Sequence, residues 1–271
     1  MISIEGGAMV DRHEADVGRA KESTVATVPS TKEAVKALHA AFSGHRRPQR
    51  LDVAPTKDPT FVTGLLAVPL AEIDDRAILR YSLSAMTTIG TEADFANFLP
   101  RLLEVAIEGP AAGLAEPFIL AGKLDMAEWR SWSPAEQSAI EGALRSAFVS
   151  RRAADPDDAD AFPWLQVMLR AGVDPLPAME AWLVEPGAAP LLQLTDCLVR
   201  LACDVERADV ADLRPEILRG VVDWFTADEV GEAILRRLDE VPPIRSHHLD
   251  RALDCIAALA DSPFAVHRRR P

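Results

Sequence analysis

Tyrosine occurs once, at Tyr81, and aromatic residues make up only 6% of the 271-residue chain. A β-sandwich draws heavily on Val, Thr and Tyr, so this scarcity points instead to helix-on-helix packing around Leu, Ala, Val and Ile. Cysteine is almost as rare. Three residues, an odd number, give no disulfide framework. Cys197 and Cys203 are six apart on an expected helix and at about 100° per residue face different ways, so they do not jointly hold a metal. All three cysteines read as small buried apolar residues. No apolar run approaches the roughly 20 residues that span a bilayer. Met1 to Pro29 has neither a basic n-region nor a continuous apolar h-region, so no signal peptide is expected and a cytoplasmic location is. Residues 1–29 read as a flexible tail.

Positive charge is in short supply: 29 Lys and Arg stand against 42 Asp and Glu, a net charge of −13. Duplex nucleic acid needs clustered cations and is therefore not expected as the main partner. Two basic clusters exist, His45-Arg46-Arg47 with Arg50 and His267-Arg268-Arg269-Arg270. They read as a solvated loop and a frayed tail, with nucleic-acid binding through the 45–50 loop the lesser alternative. An acidic exterior favours solubility and steers basic partners.

Catalytic and cofactor signatures are missing as well. There is no G-x-G-x-x-G, no P-loop, no G-x-S-x-G elbow and no H-E-x-x-H. No Glu precedes a His by three residues, which removes the di-iron bundle motif. His247-His248 with Asp250 and Asp254 is the most metal-like cluster, yet adjacent histidines on a helix diverge by about 100°. They read better as polar residues at a helix start. The acidic run Asp155-Pro156-Asp157-Asp158-Ala159-Asp160 lacks the central Gly and distal Glu of an EF-hand and reads as a solvated linker. No cofactor, metal or catalytic residue is expected.

What the chain does have is helix punctuation. Ser30-Thr31-Lys32-Glu33 is a capping box ahead of an apolar stripe, with Gly44 as the expected left-handed stop. The box recurs at Ser133-Pro134-Ala135-Glu136 and at Thr226-Ala227-Asp228-Glu229, and Asp74 caps a further helix. Other helices are expected over about 91–107, where Pro100 kinks or divides the segment, and over 117–130, 160–171, 175–185, 188–205, 215–225, 227–240 and 246–260. The 188–205 segment is apolar nearly all round, the mark of a central buried helix. Short loops make neighbouring helices antiparallel. The expected fold is all-α, with antiparallel helix pairs stacked as a HEAT-like superhelix. The divisions run 30–154 for an N-terminal half, 155–160 for the linker, 161–266 for a C-terminal half and 267–271 for a basic tail.

Thr87-Thr88-Ile89-Gly90, Asp94-Phe95 and Phe98-Leu99-Pro100-Arg101-Leu102-Leu103-Glu104 are followed by Gly122-Lys123-Leu124 and Trp129-Arg130-Ser131-Trp132. These blocks resemble, over about residues 35–150, a family of uncharacterised bacterial helical proteins with the same blocks in the same order. Members often carry a C-x-x-C pair upstream of Pro-Leu. Here Val53 and Thr56 stand at those places ahead of Pro69-Leu70, so a thiol metal or redox role is lost. The resemblance implies a helical fold and no activity.

Absent catalytic signatures, capped helices and the acidic surface together suggest a non-catalytic protein-interaction module, immunity- or antitoxin-like or an adaptor, whose partner is another protein, basic in character. The alternative is an enzyme with a helical pocket around 123–132. The candidate binding residues there are Lys123, Asp125, Glu128, Trp129, Arg130 and Trp132, with the two Trp forming a binding ledge or sealing a helix joint.

Overall fold

The computed structural model describes residues 28–108 and 117–265. The expected tails, 1–29 and 267–271, lie outside the described residues but for Val28 and Pro29. The described chain is all-helical. Twelve α-helices run in order as α1 (Thr31–Ala41), α2 (Pro59–Ala67), α3 (Asp75–Ser84), α4 (Glu92–Glu108), α5 (Pro117–Met126), α6 (Pro134–Arg152), α7 (Phe162–Ala171), α8 (Leu176–Met179), α9 (Ala188–Glu206), α10 (Pro215–Phe225), α11 (Asp228–Arg236) and α12 (Ser246–Ala260). Short 3₁₀ turns link several of them. Strand pairing among the described residues amounts to isolated bridges from Ile89 to Val53 and Ala85.

Local chemistry explains most boundaries. Ser30 caps α1 through a hydroxyl that accepts from the Glu33 amide, while the Glu33 carboxylate accepts the Ser30 amide at 2.9 Å. Ser133 and Glu136 repeat this at α6, and the Asp74 carboxylate accepts the Ala77 amide at α3. Each satisfies helix-start donors that have no partner inside the helix. Gly172 closes α7 at φ +74°, a conformation that costs glycine little.

Several expectations change. Gly44 is not left-handed: α1 ends at Ala41 and Phe42 forms the C-cap. Thr226 does not cap α11, because its hydroxyl donates back to the Val222 and Asp223 carbonyls and finishes α10 instead. The segments 117–130, 175–185 and 227–240 each begin as α-helix and end in a 3₁₀ turn. Pro100 lies inside an unbroken α4. Helix α2 has no counterpart among the expected segments. Asp58 starts it by accepting the Thr60 amide at 2.9 Å, with Pro59 at the first helical position.

Helix α9 packs against α12, α7 and α6 and buries Leu191, Leu194, Leu198 and Leu201 completely. Helix α1 packs on α6 and α4, and α5 packs on α7. One continuous apolar cluster runs from Ala34 to Leu259. The acidic run at 155–160 is held down by cations: Asp155 accepts from Arg245 at 2.6 Å and Asp160 from Arg200 at 2.7 Å. No helix among the described residues is long and apolar enough to cross a membrane.

Candidate functional site

A cleft of about 560 Å³ lies between α1, the 42–50 loop, α2 and α4. Its apolar wall comes from Phe42, Leu66, Val68, Pro69, Leu70 and Pro100, and its polar wall from His39, His45, Arg47 and Asn97. Pro69 holds Val68 in extended backbone (φ −119°, ψ 154°), since a residue before proline is barred from the helical region. The chain turns there, and the carbonyls of Leu65 and Val68 face the 42–50 loop, where Arg47 Nη2 donates to both at 2.6 and 3.1 Å.

Two histidine–glutamate pairs frame the polar wall. His39 Nε2 lies 3.0 Å from Glu104 Oε2, and His45 Nε2 lies 2.5 Å from Glu136 Oε1. The His45 ring stacks on Phe42 with centroids 5.4 Å apart. Burial works to raise the Glu136 pKa, but the Ser133 hydroxyl and amide and the His45 ring outweigh it and hold the carboxyl below its ordinary value. Arg47 lies over the Phe98 ring at 4.7 Å, and burial lowers its pKa. Its Nη1 is buried without an acceptor. Asn97, 6% exposed, donates to the His45 carbonyl at 3.2 Å and leaves its Oδ1 buried without a donor. Thus half of the basic loop expected to be solvated is built into a wall, while Arg46 and Arg50 face water.

The six residues singled out from sequence line none of the clefts described in this section. Lys123 is buried, and its ammonium donates to the Ala85 carbonyl at 2.6 Å, tying α5 to the end of α3. Asp125 accepts from Arg214 at 3.0 Å and faces Arg170 at 3.6 Å. Glu128 takes a left-handed backbone (φ 47°) just before the turn that carries Trp129. Trp129 is buried, with Arg130 stacked over it at 3.9 Å. Arg130 also bonds Glu141 at 2.5 Å and the Gly172 carbonyl. Trp132 packs edge-on to Phe42 and donates to Glu92 at 3.0 Å. Lys123 reaches toward α3, Asp125 toward α7 and the start of α10, and Trp132 toward the first cleft.

A second cleft, about 400 Å³, lies between α7, α9 and α12. Its charges mostly satisfy one another. Arg200 pairs with Asp160 and Asp196, and Gln166 donates to Asp204 at 2.8 Å. Burial raises the Asp204 pKa. Arg251 Nη2 lies 3.8 Å from the Cys203 sulfur. Cys203 and Cys255 are only partly buried, whereas Cys197 is fully enclosed and burial pushes its thiol well up. The His247 and His248 rings lie 4.2 Å apart, and among the described residues no group of three His, Cys, Asp or Glu is arranged to hold a metal ion.

Apolar side chains also stand in water between positions 184 and 244. Val184 is 82% exposed, Ile244 84%, Leu235 53% and Leu238 41%. Helix α11 packs on the 3₁₀ turn Glu180–Val184, and Arg237 locks the two segments together. It donates to the Gly187 carbonyl at 3.1 Å and to Glu240 at 3.0 Å, while Glu240 accepts the Gly187 amide at 2.8 Å. Glu180, Glu232 and Asp239 stand exposed on the same elements, with Arg236, 4.0 Å from Glu232, as the exposed cation of α11.

Set against protein-family models, curated proteins and solved structures, the chain matches none.

Proposed function

We propose that this chain is a non-catalytic, acidic, helical protein-interaction module that docks a basic partner through the face bearing Val184, Leu235, Leu238 and Ile244. An adaptor or an immunity- or antitoxin-like protein acts in this way. A HEAT-like stacking of its antiparallel helix pairs belongs to the same proposal, as does the kinship suggested by the blocks between Thr87 and Trp132. The observation that supports it is the exposure of four large apolar side chains, of which Val184, Leu235 and Leu238 lie on the Glu180–Val184 turn, α11 and the turn after it, where Arg237 and Glu240 tie the chain to Gly187. Contiguous exposed apolar surface edged by charge marks contact sites. A rigid backbone spares the ordering entropy that a flexible one loses on association. The acidic side chains around the patch, and the net charge of −13, favour a cationic partner and speed encounter at low salt.

The test is a double substitution, Val184→Asp with Ile244→Asp. Both positions are more than four-fifths exposed, so the fold tolerates them. The tagged chain is purified from its own cells at low and high salt, beside the double variant. A discrete basic protein retained by the wild type, weakened by salt and lost from the variant supports the reading. Identical captured material from both proteins overturns it.

A further inference from the structure

We infer that the cleft between α1, the 42–50 loop, α2 and α4 is a binding site for a small organic carboxylate that has an apolar body and a neighbouring hydroxyl or amine. This stands apart from the docking face and rests on different residues.

Arg47 carries the inference. Among the described residues, most buried or half-buried guanidiniums meet a carboxylate: Arg101 lies 2.7 Å from Asp75, Arg152 2.6 Å from Glu185, Arg237 3.0 Å from Glu240 and Arg245 2.6 Å from Asp155, whereas Arg151 bonds the Ile107 carbonyl at 2.9 Å. Arg47 meets two backbone carbonyls and a phenyl face, and its Nη1 has no acceptor. A purely structural arginine needs only the two carbonyls, which Nη2 already serves. An unneutralised cation in a partly dry cleft is the setting in which a carboxylate oxygen gains most from a charge-assisted bond.

The rest of the wall narrows the ligand. Asn97 Oδ1 calls for a donor, and its Nδ2 is fixed on the His45 carbonyl, which sets the orientation of the amide. A donor for this acceptor comes from a hydroxyl or amine beside the carboxylate. Leu66, Val68, Pro69, Leu70 and Pro100 make the opposite wall apolar, which fits a hydrocarbon or aromatic body. Glu104 and Glu136 are each held by a histidine, which moderates their repulsion of an entering anion. Both unmatched atoms are shielded from bulk water, so only a group seated deep in the cleft, with a small adjustment of its walls, reaches them. The volume of about 560 Å³ lies within the range usual for small-molecule sites.

The experiment is calorimetric titration of the full chain with mandelate, which has a carboxylate, an adjacent hydroxyl and a phenyl body. Benzyl alcohol (no carboxylate) and inorganic phosphate (no apolar body) serve as comparators. Mandelate is expected to saturate one site per chain, with the comparators at least about tenfold weaker. Arg47→Met is expected to weaken mandelate by about tenfold or more. Should that variant fail to fold, Ser43→Glu takes its place: Ser43 is exposed and lines the cleft, and the added charge is expected to weaken mandelate about threefold without changing the melting temperature. No saturation by mandelate, equal affinity in the Ser43→Glu protein, or phosphate binding more tightly than mandelate overturns the proposal.

Discussion

Arg47 and Arg237 are two arginines drawn into the body of the molecule, and their surroundings differ in one respect. Arg237, 9% exposed, bonds the Trp182 and Gly187 carbonyls and also meets Glu240. Arg47 bonds the Leu65 and Val68 carbonyls and meets no carboxylate. Around Arg237 the polar atoms close on one another and fix two segments. Around Arg47 they do not: Arg47 Nη1 and Asn97 Oδ1 are left unmatched, as is the hydroxyl of Tyr81, whose ring packs on Phe98 at 4.6 Å. Arg47 and Asn97 line the cleft and Tyr81 does not; a buried polar atom without a partner costs stability, and the two at the cleft are the ones on which the inferred binding site rests. Arg152 Nε, Arg170 Nε and Glu185 Oε2 also lack a hydrogen-bond partner, but each faces an opposite charge, and Arg47 faces none.

The comparison is tested most severely beneath the C-terminal face. Trp182 is fully buried, its indole donates to the Pro190 carbonyl at 2.8 Å and its ring meets Phe148 edge-on at 5.2 Å. Trp182→Ala is expected to cost about 3–5 kcal/mol in urea unfolding. Next comes the arginine pair. Arg237→Met strands Glu240 and two carbonyls and is expected to cost about 2–3 kcal/mol, against about 1–2 kcal/mol for Arg47→Met. Equal losses would break the comparison. Tyr81→Phe removes an unmatched hydroxyl and is expected to be neutral or to stabilise by about 1 kcal/mol; a clear loss of stability would mean that the hydroxyl has a partner.

The smallest effect concerns pH. Glu136 is held below its ordinary pKa in the folded chain, so its contribution is present above that ordinary value. It is lost as pH falls through the depressed folded value. Melting temperatures measured between about pH 5 and pH 3 should therefore fall more steeply for the wild type than for Glu136→Gln. Parallel curves would remove the His45–Glu136 contact from the account of the cleft.

Much of what depends on three or four consecutive residues was legible in the sequence. The boxes at Ser30 and Ser133 and the cap at Asp74 bond within their own first turns, so their residues announce them. Thr226 has the same letters but bonds backwards, because a threonine hydroxyl serves the end of one helix as readily as the start of the next. Asp58-Pro59 also announces a helix start, yet Thr60-Phe61-Val62-Thr63-Gly64-Leu65-Leu66 behind it has no clear polar face, and α2 went unseen. With α2 unseen, the cleft it walls was beyond reach. His39, Arg47, Asn97 and Pro100 come from three separate segments, and nothing local in the sequence distinguishes Arg47 from the exposed Arg46 beside it. The 123–132 block stood out for its composition, and its side chains serve internal contacts: Lys123 on the Ala85 carbonyl and Arg130 on Trp129. Burial of a charged side chain depends on what the distant chain brings to it.

The docking face can be probed most directly by placing a photoreactive benzophenone side chain at position 244 in the chain's own cells. On illumination, the account predicts one discrete adduct that Val184→Asp abolishes, and none from the same group at position 83, where Leu83 is 53% exposed on α3. No adduct from 244, or one of equal strength from 83 that Val184→Asp leaves unchanged, would contradict it.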